Sequence, residues 1–410
     1  MPSVEDPEDI LSSSLQTLYQ YQPITLTSAG TEFTYTYPFP DRLEQVVPSS
    51  SYDKEDLRHG VPITIMVNTP DTQSANWSLH ASSIWMASIF LANNIHRLNL
   101  KHYFTPPHRS NAHPMIPNQP LCSPSHPGPQ ALNEAQISRT PTSLNPYQAH
   151  PNTPSFIRVL ELGAGAGIPS ILLAKVCLRL RIREVQVMVS DYPDKELIKA
   201  LSDNVDRNME SNSGHNDDDD HHDGIRVPVD VNCCVVPYAW GTDPGKLLNA
   251  TSGLRSRAKF MPSLAGPDGP TDGRLISLEG NIGGEQKGGF DIVMAADTLW
   301  NSALHEPFLT TLCRVLKKSA SARIHLVAGL HTGRYTLEAF LKAVGKVGLI
   351  VESAVEYEVA GDGERNWDVS REDDETERRG WVVWMVLKWR ISHDPCCNND
   401  SCGASITIRA

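Results

Sequence analysis

From residue 157 onward, short apolar runs alternate with segments of helical period, and no other feature limits the fold so strongly. IRVLEL, VQVMVS, VNCCVVPYA, FDIVMAA and ARIHLVAGL read as five strands. IPSILLAKVCLRL, DKELIKALSDNVDRNM, LHEPFLTTLCRVLKK and YTLEAFLKAVGKVG read as helices. Strands this apolar are buried on both faces, so the alternation predicts an α/β fold with a mainly parallel sheet covered by helices on both sides. LIVESAVEYEV and GWVVWMVLKWRI follow, with the polar segment 361–379 and no helix between them. They predict a C-terminal antiparallel hairpin at one sheet edge. Upstream, residues 61–67 read as a strand, and a helix is expected from about Trp77 to Arg97 with Ile84, Leu91 and Ile95 on one apolar face. PITLTSAGTEFTYTY, further upstream, reads as a hairpin or a short arm. There is no internal repeat.

Composition divides the chain around this core. Of 30 prolines in 410 residues, 12 fall in 105–154, a stretch with few apolar runs and little charge, expected to be a disordered insertion (104–155). An N-terminal arm with a strand and a helix packing on the core is expected over 1–103, and the α/β domain over 156–391. Further disordered insertions are expected at about 210–225 and 242–288, with a disordered tail over 392–410. The net charge of −12 comes mostly from DDDDHHD (217–223) and EDDETE (372–377), which read as solvated loop charge. A chain without a basic stripe is a poor nucleic-acid binder. No apolar run approaches the roughly 18 residues that span a membrane. The polar, acidic start MPSVEDPEDI does not read as a signal peptide, and the eight cysteines show no disulfide framework. A monomer in the reducing cytoplasm is expected. DDDDHHD and HDPCCNNDSC lack the spacing of metal sites, so no metal is expected.

In an open α/β sheet, ligands bind beyond the carboxyl ends of the strands. Those ends carry Glu161 and Gly163, Asp191, Trp240, Ala296 and Asp297, and Gly329. Gly163, Gly165 and Gly167 let backbone approach a ligand closely, although a tight strand-to-helix turn also uses glycine. Asp191 is suited to ribose hydroxyls and equally to capping the helix KELIKAL. The loop departs from G-x-G-x-x-G, since its third glycine comes one place early. One nucleotide-binding half followed by a hairpin favours S-adenosylmethionine over a nicotinamide or flavin cofactor.

LELGAGAGIPS, SDYPDKELI, PYAWG and AADTLWN resemble the seven-strand S-adenosylmethionine-dependent methyltransferases of the lysine methyltransferase group. They are most similar to the fungal branch first described as nicotinamide N-methyltransferase-like, which contains N-terminal and lysine methyltransferases of translation elongation factor 1A. EDPEDI and SIWMASIFLANNI also resemble that branch. The resemblance implies a Rossmann-like class I methyltransferase fold with a seven-stranded sheet. It implies that Trp85 closes over the cofactor, that Gly163, Ala164 and Gly165 contact its methionine part, and that Asp191 holds the ribose. Ala239 and Trp240 would flank the adenine, Ala296 would line the sulfonium, and Glu161 and Tyr192 would complete the cofactor set. Asp297 would face the substrate nitrogen as the catalytic residue. Trp85 and Trp240 also read as packing residues. The family's aspartate is often followed three places later by tyrosine or phenylalanine, where this chain has Trp300. Ala296 stands where serine is common, and Asn301 matches the fungal branch. The implied substrate is a lysine or N-terminal amine of a protein such as elongation factor 1A. A small-molecule, nicotinamide-type N-methyltransferase and a non-catalytic cofactor-binding scaffold remain alternatives.

Overall fold

The structure, a computed structural model, describes residues 24–38, 61–71, 79–104, 156–180, 182, 185–210, 232–250 and 288–390. The expectations for EDPEDI, the proline-rich stretch, 211–225, 251–287 and the C-terminal tail lie outside these residues. The described residues before 105 and after 155 belong to one unit.

Two strands, β1 (Glu32–Tyr37) and β2 (Ile63–Asn68), pair antiparallel in a small sheet of their own. The main sheet contains β3 (Ile157–Leu162), β4 (Val185–Asp191), β5 (Asn232–Pro237), β6 (Ile292–Ala296) and β7 (Arg323–Gly329). It is completed by β8 (Leu349–Glu358), β9 (Glu364–Asn366) and β10 (Trp381–Trp389). Its order is β5-β4-β3-β6-β7-β10-β8-β9. The first five strands in that order run parallel, and β10 is antiparallel to both β7 and β8.

Side chains alternate across each strand. Val159, Val187, Val189, Ile292 and Met294 enter one core layer, while Leu160, Leu162, Met188, Val293 and Ala295 enter the other. The first layer is covered by α1 (Met86–Asn93), α3 (Ile168–Arg179) and α4 (Lys195–Glu210); a single turn, α2 (Lys101–Phe104), lies between α1 and β3. After α5 (Gly245–Asn249), the second layer is covered by α6 (His305–Val315) and α7 (Arg334–Val344), and α8 (Glu375–Arg379) precedes β10. Pro169 stands in the first turn of α3, where its missing N–H costs no helical bond. Among the described residues, no helix is long and apolar enough to cross a membrane.

Four details differ from the sequence reading. The helix expected from about Trp77 starts only at Met86, because Trp85 is extended and bridges Thr25. Leu26 N–H donates to Ile84 O and Met86 N–H to Ile24 O, each at 2.9 Å, so the arm takes the backbone groups a helix would use. The helix passes into a 3₁₀ turn, Ile95–Leu98, that ends at left-handed Asn99. The last two long strands pair antiparallel at one end of the sheet as expected, but the segment between them contains the edge strand β9 and α8. Lastly, residues 242–250 of the expected insertion form a turn and α5.

Candidate active site

The site grows from the β3–α3 turn. Gly163 and Gly165 both have left-handed backbones, with φ of +66° and +55°. A Cβ on Gly163 would lie 2.8 Å from Thr298 Cγ2 and 3.2 Å from Trp240 Cζ2, so that glycine permits contact between loops. A Cβ on Gly165 would meet nothing within 4 Å. That side of the loop opens onto a cavity of about 210 Å³.

Asp191, at the end of β4, clamps the turn. Its Oδ2 accepts from Gly165 N–H and its Oδ1 from Tyr192 N–H, each at 2.6 Å. Burial nevertheless pushes its carboxyl up to about 6, against the pull of those two N–H donors. Glu161, at the end of β3, is 1% exposed and accepts from Ser170 N–H at 3.1 Å. Burial pushes its carboxyl up to about 8. Both acids are therefore poised to gain from a ligand that donates hydrogen bonds or brings positive charge.

Asp297 follows β6 and is one of three non-glycine residues with positive φ among those described. Its N–H donates to Val327 O at 2.8 Å, and its Oδ1 accepts from Gly329 N–H at 3.0 Å. Oδ2 is buried with no hydrogen-bond partner among the described residues. A left-handed aspartate costs on the order of 1 kcal/mol or more, and an orphaned buried oxygen adds to that; such costs concentrate at functional sites. Burial raises the Asp297 carboxyl above its ordinary range, while His331 and the Gly329 N–H oppose the rise.

Aromatic rings form the wall opposite. Trp85 Nε1 donates to His80 O at 2.8 Å, and the indole lies flat on His331 with centroids 5.5 Å apart. His80 meets Trp300 edge-on at 4.7 Å. At the other end Trp240 packs on Phe308 at 4.6 Å, while Tyr238 OH donates to Thr242 O at 2.9 Å.

The cavity is lined by every residue expected to bind the cofactor or act in catalysis: Trp85, Glu161, Gly163, Ala164, Gly165, Asp191, Tyr192, Ala239, Trp240, Ala296 and Asp297; Gly167, Gly329 and Asn301 do not line it. It is also lined by His80, Ser88, Thr298, Trp300 and Leu304. The sequence reading missed His80 and, behind the wall, His331. His331 lies two residues past the last strand end considered, so reading on through the turn after Gly329 was the available signal. His80 sits in a segment without periodicity and gave none. Among the described residues no group of three or more His, Cys, Asp or Glu is placed to hold a metal; DDDDHHD and HDPCCNNDSC are outside them.

The strand order and the crevice at the strand ends define the class, a Rossmann-like class I methyltransferase fold with one added edge strand. Residues 73–218 match the sequence model of a family described as lysine methyltransferase, the group that the motifs resemble. The protein N-terminal and lysine N-methyltransferase EFM7 of Yarrowia lipolytica is 34% identical over 97 residues, 23% of this chain and 32% of that protein. The match therefore spans about a third of that relative's length. Among solved structures, a putative RNA methyltransferase from Pyrococcus horikoshii aligns over 57% of this chain and 75% of its own, at TM-score 0.29 and 12% identity. The methyltransferase domain of METTL16 aligns over 59% and 63%, at TM-score 0.31 and 11% identity.

Proposed function

We propose that the chain is an S-adenosylmethionine-dependent N-methyltransferase acting on a lysine or N-terminal amine of a protein, with translation elongation factor 1A as substrate. The observation that carries this reading is the meeting of the Gly165 opening, the Asp191 clamp and Asp297 around one cavity. The family match over 73–218 and the EFM7 relative support the choice of an amine. Elongation factor 1A as substrate rests on the resemblance of the motifs to that fungal branch.

The residues fit the cofactor. Gly165 leaves room for its amino-acid end, with Gly163 and Ala164 lining the same cavity. Asp191 keeps lone pairs beyond its two backbone bonds that would accept from ribose hydroxyls, and Ala239 and Trp240 would flank the adenine. When bound, S-adenosylmethionine supplies an electrophilic methyl group to the lone pair of an amine. Asp297 Oδ2 accepts an N–H of that amine and holds it in line, the kind of positioning that supplies much of a bimolecular rate. Trp300 offers a ring face to the cation. A lysine has a pKa of about 10.4 and an α-amino group about 8, so the proton leaves to water before or during binding. The free thiols of Cys177, Cys233, Cys234 and Cys313 suit a reducing compartment, and the proposal takes the enzyme to be a cytoplasmic monomer.

Methyl-labelled S-adenosylmethionine incubated with the chain and recombinant elongation factor 1A, or with nicotinamide, tests the proposal. Label in the protein band is expected. Label in nicotinamide alone would overturn the substrate class, and cofactor binding without label in either would leave only a scaffold.

A further inference from the structure

We propose that His331 is a positioning residue for the methyl acceptor, acting through Asp297 and Trp85 and not on the substrate itself. The inference rests on the reading of the site as an N-methyltransferase centre.

Three observations carry it. His331 Nε2 lies 3.9 Å from Asp297 Oδ1, the oxygen already held by Gly329 N–H. With Oδ1 engaged from two sides, Oδ2 is left as the acceptor for the amine. The same imidazole lies within 16° of parallel to the Trp85 indole, whose other surroundings include the cavity. One ring thus touches both the carboxylate that receives the amine and the indole that covers the cavity. The third observation is Gly329. Its φ of −66° and ψ of 137° are open to any residue, so the backbone does not demand glycine. A Cβ there would fall onto Cε1 and Nδ1 of His331. The missing side chain is the space that the imidazole occupies.

His331 is not on the cavity lining, which makes it a positioning residue. A separation of 3.9 Å is electrostatic contact rather than a hydrogen bond. Contacts of this kind tighten when substrate fills a site. Packing alone would be satisfied by any flat ring on Trp85, whereas positioning needs the N–H beside Asp297.

Three variants of the full chain separate these roles. His331→Phe keeps a ring on Trp85 and removes the N–H, His331→Gln keeps a donor and loses the ring, and Gly329→Ala displaces the imidazole. We expect His331→Phe and Gly329→Ala each to lower kcat about tenfold or more, in line with small misplacements at reacting centres. In His331→Phe, which keeps a ring on Trp85, affinity for S-adenosylhomocysteine should stay within about twofold while kcat falls. His331→Gln should recover part of kcat, and the Gly329→Ala/His331→Phe double variant should be no slower than the slower single one, because both remove one interaction. Wild-type kcat in His331→Phe would overturn the proposal. So would a parallel loss of kcat, S-adenosylhomocysteine affinity and thermal stability in all three variants, which marks a structural role. A wild-type chain that binds S-adenosylhomocysteine yet methylates no amine defeats the underlying reading, and this inference with it; a wild type that turns over while His331→Phe matches it defeats this inference alone.

Discussion

At the scale of single residues, three buried carboxylates, Asp297, Glu161 and Asp191, are each pushed up by burial and held by different partners. Asp297 keeps one oxygen tied to Gly329 N–H and the other free. Asp297→Asn preserves the shape and removes the charge that receives the amine. Turnover is expected to fall about 10²–10³-fold, the scale of losing one preorganised polar contact in a transition state. S-adenosylhomocysteine affinity should change little; steady-state kinetics beside calorimetry reads both, and equal turnover in the folded variant would refute the role. Glu161 makes a pH prediction. Its carboxyl, ordinarily near 4.5, is pushed up to about 8 by burial. An acid with a raised folded-state pKa gives stability that is complete below its unfolded value and is lost as pH rises through the folded one. Glu161→Gln has no such loss. In the absence of cofactor its stability relative to wild type should climb between pH 4.5 and 8, on the order of a few kcal/mol. Urea unfolding across that window checks it, and a flat difference would show that Glu161 is not buried as described.

At the scale of elements, helix α4 secures the N-terminal sheet by imitating a strand. Asn204 Oδ1 accepts from Asn68 N–H at 2.8 Å and its Nδ2 donates to Asn68 O at 2.9 Å. One turn on, Asn208 Oδ1 accepts from Met66 N–H at 3.1 Å and Nδ2 donates to Met66 O at 2.8 Å. The open edge of β2 is thus paired by side chains, a way of closing an edge that would otherwise invite other strands. Asn204 Nδ2 also donates to Ala166 O at 3.1 Å, which links the arm to the glycine turn. Asn204→Ala leaves three backbone groups short of a partner and should cost about 1–3 kcal/mol in denaturant unfolding; a change below about 0.5 kcal/mol would contradict this pairing. None of it could be seen in sequence, where Asn204 and Asn208 are ordinary polar residues of an amphipathic helix. Strands β3 to β7 were legible because burial on both faces makes them continuous apolar runs. Strand β9, ERN, has no apolar residue to announce it and exists because the backbone finds Val355–Tyr357 alongside. The late start of α1 was illegible for a related reason, since its cause is the pairing of Thr25 with Trp85 sixty residues away. Ile84, Leu91 and Ile95 are buried as their spacing suggested, although only Leu91 lies within α1.

At the scale of the whole molecule, the connection from β8 to β10 is fixed beside the site by a buried charge network. Glu356 is fully buried and accepts from Arg334, from Arg365 Nε at 2.8 Å and from Arg371 Nη1 at 2.8 Å. Asp373 pairs with Arg334 and with Arg365. Arg334 opens α7 directly after the Leu330–Thr332 turn that holds His331, and α8 packs on that turn. Removing Glu356 leaves Arg334 and Arg365 sharing Asp373 and takes the carboxylate from Arg371, so Glu356→Ala should cost about 3–5 kcal/mol. A loss of that size should lower the melting temperature, and one near zero would show that the network is solvated. The site itself was legible for a global reason. Topology sends every parallel strand to the same end of the sheet, so polar residues at strand ends converge whatever the loops do. His331 escaped because it belongs to a turn positioned by these ion pairs and not by a period in the sequence.

The central claim is that one cavity binds S-adenosylmethionine through the glycine turn and Asp191 and presents it to Asp297. Calorimetric titration of the full chain with S-adenosylhomocysteine, with Asp191→Ala alongside, tests it most directly. The account predicts one binding site, weakened about tenfold or more by Asp191→Ala, the cost expected for losing hydrogen bonds to a charged acceptor. No binding to the wild-type chain, or equal affinity in a folded Asp191→Ala variant, would contradict it.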